Sequence, residues 1–287
     1  MTTKTKKIRS FICGLVSFIL SVSLTLLFML VTLRFTVLNA GYAKMIAQTS
    51  GYSTHMQQEL KEQFVSYGSA CNVDESFFDD VFEEIITPKR IVKDTQTSLE
   101  FFYKHDAEGE IDTSEIEGKI QEKLIAYADT KGFEINDSLR ENLKVMCEEM
   151  GDLYVKYVGM FNTSYFMSAS NILKRYMPVL NGAMIALAVL AILATVVIRL
   201  SFAKVRNYTR FYIYACSGSA LMLAVAPIAA LIMRIGSKIN VANASLFSFA
   251  SSFINYSFVA MLVAALIMGV LTGCIAYVRN KANKYPC

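Results

Sequence analysis

Apolar residues occur in this chain in two patterns: unbroken runs, and isolated positions spaced three and four apart. Four runs contain no charged residue: Phe11 to Leu33, Pro178 to Ile198, Phe211 to Met233 and Tyr256 to Val278. A bilayer core needs about 20 predominantly apolar residues in a helix. At about 1.5 Å per residue each run covers roughly 30–35 Å. The pattern therefore predicts four transmembrane helices, at 11–33, 178–198, 211–233 and 256–278.

Between the first and second runs the spacing is that of amphipathic helices. Leu139, Leu143, Met146, Met150, Leu153, Tyr157 and Phe161 form one stripe about six turns long, with Ser138 and Glu141 placed as a capping box. Ile116, Ile120, Leu124 and Tyr127 mark a second helix, with Asp112 and Glu115 at its start. Phe77, Phe78, Val81, Phe82, Ile85 and Ile86 mark a shorter one that Pro88 should end. Ile91, Thr95, Leu99 and Phe102 suggest another, and Met56, Leu60 and Phe64 one more that stops near Gly68. The aromatics Phe161, Tyr165 and Phe166 are expected to dock this domain on the membrane. Leu246, Phe249, Phe253 and Ser257, stepping along one face before the fourth run, predict an interfacial helix. The fold class is an all-α integral membrane protein, with a helical extracytoplasmic bundle inserted between transmembrane helices 1 and 2.

Composition agrees, at 54% hydrophobic residues and a mean hydropathy of +0.40. Charge supplies the orientation. All 24 acidic residues lie between Glu59 and Asp152. Eleven cations and no anion occupy three places on one side of any four-span arrangement. These are Lys4, Lys6, Lys7 and Arg9 before the first run, Arg199, Lys204, Arg206 and Arg210 between the second and third, and Arg279, Lys281 and Lys284 after the fourth. The positive-inside rule makes that side cytoplasmic. Arg34, Lys174, Arg175, Arg234 and Lys238 fall on the opposite side. The expected order is a cytoplasmic start (1–10), the outer domain (34–177), a cytoplasmic loop (199–210), an outer loop (234–255) and a cytoplasmic tail (279–287), in the cell membrane. The first run is expected to stay as a signal-anchor, because Val37-Leu38-Asn39-Ala40 lacks the small residue that cleavage requires at −3. Fourteen Lys and Arg between Lys44 and Arg175 leave the outer domain at −10, so the overall +4 averages two opposite regions and argues against nucleic-acid binding.

Candidate chemistry is sparse. Cys71 and Cys147 are the two cysteines expected outside the membrane, either bonded to each other or as two buried thiols. Asp106, Glu108, Glu110 and Glu117 have the spacing of a calcium loop, but Ile111 stands where the turn glycine should be. His55 and His105 have no partner at metal-ligand spacing, so neither a metal nor a cofactor is expected. No mid-span acid or base suggests a proton relay. Cys216, Ser217, Gly218 and Ser219 make one span end small and polar, with Pro227 further along, which favours close helix packing. The Gly269/Gly273 pair on the fourth run and Gly182/Ala186 on the second are helix-packing motifs, within the chain or through self-association. No nucleophile–base signature is present, and an enzyme is not expected.

One span, a large outer domain and three closely spaced spans together resemble the plan of FtsX and MacB-type membrane subunits, which couple a cytoplasmic ATPase to work outside the cell. The resemblance lies in segment order and in no motif residue. It implies a transport-associated subunit, and an outer domain containing strands. The residues themselves point first to a non-enzymatic membrane protein whose acidic helical domain meets a protein or envelope partner.

Overall fold

The computed structural model describes residues 3–104 and 111–284, with side chains described for 7–104 and 111–281. Ten α-helices are found among them: α1 (Thr3–Phe35), α2 (Ala40–Thr49), α3 (Tyr52–Ala70), α4 (Glu75–Glu84), α5 (Pro88–Lys104), α6 (Ser114–Thr130), α7 (Asp137–Val158), α8 (Ser164–Ser201), α9 (Val205–Ile232) and α10 (Ala244–Lys284). No strand occurs among the described residues. Four helices are long and apolar enough to cross a membrane, over Lys7–Phe35, Ser164–Ser201, Val205–Ile232 and Ala244–Lys281. The chain divides into two compact units. One holds Met1–Leu38, Arg175–Lys238 and Ile254–Cys287, and the other Asn39–Lys174 with Ile239–Phe253.

The second unit is a helical bundle around one apolar core. On α3, Tyr52, Met56, Leu60, Phe64 and Gly68 recur every fourth residue and are all buried, which keeps them on one face. Gly68 closes that stripe because the Phe78 ring lies where a β-carbon would stand. Phe64 packs edge-on to Phe78 and Phe82 of α4, at centroid distances of 6.4 and 5.3 Å. Ile116, Ile120 and Leu124 of α6 and Met146, Met150, Tyr154 and Val158 of α7 complete the core. Pro88 ends the preceding apolar run as expected, and it does so as the first residue of α5, where its missing N–H costs nothing.

Several boundaries differ from the sequence reading. The cap of α7 is Asn136, whose side chain accepts from the Leu139 N–H, so Ser138 lies inside the helix and makes no capping box. Helix α2 was not anticipated. Asn39, within the segment weighed for cleavage, caps it by accepting from the Tyr42 N–H. Gly51 joins α2 to α3 with φ 76°, a left-handed conformation suited to glycine. α8 begins fourteen residues before Pro178 and runs through it. Its first turns stay in the bundle, where Phe166 packs on Phe161 and the Ser170 hydroxyl donates to the Phe102 carbonyl. Phe161 is buried in the core, so of the three aromatics expected at the membrane only Tyr165 is exposed, at 80%.

Candidate functional site

The 234–255 loop is the largest departure from expectation. Its second half opens α10 and belongs to the bundle core instead of forming a separate interfacial helix. Phe249 is 8% exposed. Its ring lies 5.9 Å from Tyr52, 5.4 Å from Phe161 and 5.7 Å from Phe253. Glu59 accepts from the Ser245 N–H at 2.9 Å and from its hydroxyl at 2.6 Å. A carboxylate there satisfies an amide that has no partner within the helix and meets the positive end of the helix dipole. The Ser248 hydroxyl donates to the Ser50 carbonyl at 2.5 Å. An apolar face that suits a membrane interface suits a protein core equally well, and the burial of Phe249 and Ser245, with the half-buried Glu59 carboxylate bonded to Ser245, decides for the core.

Half-buried and exposed charges tie the bundle helices together. Glu100 of α5 accepts from Lys104 and from Lys44 of α2. Arg90 bonds Glu115 of α6 at 2.7 Å, and the buried Tyr154 hydroxyl donates to Asp94 at 2.6 Å. Asp74 accepts from Lys131 at 2.6 Å and from the Tyr127 hydroxyl at 2.7 Å. Hydrogen bonds from Lys104 and Lys44 lower the Glu100 carboxyl to about 2, from an ordinary 4.5. Those from Lys119 and Arg90 do the same to Glu115. Such depressed carboxylates contribute stability that is present above the unfolded value and lost as pH falls through the folded one. The bundle should therefore lose thermal stability between about pH 4.5 and 2. In a pH series of melting curves, the Glu100→Gln/Glu115→Gln variant should show a shallower slope over that window.

Cys71, exposed at the end of α3, and Cys147, buried in α7, are both free thiols. Burial pushes the Cys147 thiol up to about 12. Residues 105–110 of the calcium-like segment lie outside the described residues. Glu117, its last carboxylate, accepts from the Thr113 hydroxyl at 2.5 Å.

In the other unit, α1 and α9 form the closest pairing. Ser17, Ser21 and Thr25 recur every fourth residue on α1. Ser17 donates to the Phe211 carbonyl at 2.7 Å, and Thr25 bonds Ser219 at 3.2 Å. Gly218 lies against Ser21, whose hydroxyl would be 2.6 Å from a β-carbon placed there. The close packing expected at residues 216–219 is thus present. The glycine pairs behave differently: a β-carbon at Gly182, Gly269 or Gly273 would meet nothing within 4 Å, and Ala186 is exposed. Among the described residues those three glycines face open space, and the α1–α9 seam uses Ser, Thr and Gly218.

The basic residues at one end of this unit converge. Arg9 of α1, Arg206 and Arg210 of α9 and Arg279 of α10 line one pocket of about 390 Å³, together with Ser10, Phe202, Asn207 and Phe211. The Arg9 guanidinium lies 4.4 Å from the centre of the Phe202 ring, and that of Arg210 lies 5.4 Å from Phe211. The Nε atoms of Arg9 and Arg279 are buried without a hydrogen-bond partner. Arg199 stands apart over Tyr208 at 4.5 Å, and Lys204 precedes α9 as its cap residue. Lys7 and Lys281 are exposed near the starts and ends of their helices, while the side chains of Lys4, Lys6 and Lys284 lie outside the described set.

The chain matches no protein-family model, no curated protein and no solved structure. Its geometry therefore carries the functional argument. Hydropathy and charge marked the four apolar runs, but neither could show that four arginines from three helices share a pocket. Nor could they show that Glu59 reaches a serine 186 positions away. Among the described residues no three His, Cys, Asp or Glu side chains are grouped to hold a metal.

Proposed function

We propose that this is a multi-pass membrane protein that works by binding, with the acidic bundle outside the cytoplasmic membrane and both termini inside. The observation that carries this reading is the complete partition of carboxylates: all 24 fall between Glu59 and Asp152, within the bundle unit. A bilayer with cations retained on its inner side accounts for such sorting. The bundle then presents exposed carboxylates, among them Asp80, Glu83, Glu141, Glu149 and Asp152, to a basic protein partner, an envelope component or a cation. Its role is non-catalytic. The strand-free described region supports this choice over the FtsX and MacB-type plan, whose outer domains contain strands.

A transport-associated role is the second reading. It draws on the spans, which bury only 17–28% of their most apolar windows within the chain and leave Gly269 and Gly273 free to meet other helices, including a second copy of α10. Lipid covers such surfaces equally well.

Native cysteines test the topology. On intact cells a membrane-impermeant maleimide should modify Cys71 rapidly and leave Cys147 untouched until the bundle is denatured, as peptide mapping would show. Modification of Cys71 only after permeabilisation would place the bundle inside and sink the proposal. Modification only after reduction would instead reveal a Cys71–Cys147 bond. Crosslinking from the exposed face of α7, with identification of what is captured, would then separate a binding role from one in a transport complex.

A further inference from the structure

We propose that the four-arginine pocket is a binding site for a phosphoryl anion, supplied by the headgroup of an anionic phospholipid. The positive-inside rule accounts for cations at this end of the spans, but it asks only for their number. It does not require Arg9, Arg206, Arg210 and Arg279, drawn from three helices, to line one pocket. Gathering four like charges is unfavourable unless an anion joins them. No side-chain carboxylate of this unit supplies it, since no Asp or Glu occurs before Glu59 or after Asp152. The aromatic contacts of Arg9 with Phe202 and of Arg210 with Phe211 hold the guanidinium planes without neutralising them.

The chemistry of the lining selects the class of anion. Guanidinium forks match phosphate oxygens bidentately, and all four cations here are arginines, although the neighbouring cap of α9 is Lys204. Ser10 and Asn207 add neutral polar side chains to the same wall. Buried Nε atoms on Arg9 and Arg279 still lack acceptors, and an unmet buried donor on a charged group is costly. A pocket at the basic ends of apolar helices also stands where phospholipid headgroups lie, and basic pockets between spans are a recurring mode of headgroup recognition. The lipid source rests on the membrane reading above; the phosphoryl chemistry does not.

The test uses the full-length protein in nanodiscs of phosphatidylcholine, with and without phosphatidylglycerol, and inorganic pyrophosphate as the soluble probe. Native mass spectrometry should show phosphatidylglycerol retained on the wild type in preference to phosphatidylcholine. Arg206→Gln/Arg210→Gln should weaken that retention by about tenfold or more. Arg206→Lys/Arg210→Lys, which keeps charge but loses the fork, should weaken it by an intermediate amount. Arg199→Gln/Lys204→Gln, which removes two cations outside the pocket lining, should leave it unchanged. Pyrophosphate binding without lipid preference, lost in the Gln variant, would retain the phosphoryl site and overturn its lipid source. Equal retention in all variants, each verified as folded by its melting temperature, or equal loss in the Arg199/Lys204 control, would overturn the site itself.

Discussion

Phe249→Ala should open the bundle. The ring sits at the meeting point of Tyr52, Phe161 and Phe253, with 8% of its surface exposed. Removing a buried phenyl group typically costs about 3–5 kcal/mol, as transfer free energy plus the cavity left behind. Cys147 reports on the same core, because it is 2% exposed and its thiol is held protonated by burial. If thiol labelling proceeds through unfolding of this core, its rate in the full-length protein should rise by roughly two to three and a half orders of magnitude, at tenfold per 1.4 kcal/mol. Tyr165→Ala, at an 80% exposed position, should leave the rate unchanged. Equal behaviour of the two variants would return residues 244–253 to the membrane interface that their hydrophobic pattern alone suggests.

Gly218→Ile should separate α1 from α9. Ser17, Ser21 and Thr25 bring α1 close enough for side chains to bond across the seam, and at Gly218 the gap is already filled by the Ser21 hydroxyl. Swinging Ser21 aside could admit one methyl group but not a branched side chain, and overpacking of this kind costs about 1–3 kcal/mol. The Ser17 and Thr25 bonds would be stretched as well. A disulfide crosslink engineered across the α1–α9 seam should form in the parent and largely fail in the variant. Gly269→Ile is the contrasting case. Nothing lies within 4 Å of a β-carbon there, so the same crosslink should form normally. If Gly269→Ile alters the oligomeric state while sparing the crosslink, α10 associates with a second copy through its glycine pair.

The two halves of the chain differed in how much they revealed. The four candidate spans were legible because a long uncharged run is a one-dimensional property that needs no partner. The α3 stripe from Met56 to Phe64 and the α6 stripe from Ile116 to Leu124 were legible for a related reason: helical periodicity marks a buried face whatever that face packs against. Helix α2 was not legible because its buried face is Ala43, Ile46 and Ala47, with a single large apolar side chain to mark it, and its start depends on the Asn39 cap. The same limit explains the GxxxG pair. Small residues permit close approach, but a neighbour must arrive for a contact to exist, and at Gly269 and Gly273 none does among the described residues.

Apolar run length, helical spacing and the confinement of every carboxylate to residues 59–152 were enough to establish four candidate spans, a helical domain and a separation of charge. Each is a property of composition along the chain. The destination of residues 244–253, the choice of Gly218 over Gly269 as a packing glycine, and the meeting of Arg9, Arg206, Arg210 and Arg279 were decided only in three dimensions. Those outcomes depend on distances between residues separated by up to about 270 positions, and local pattern carries no term for them.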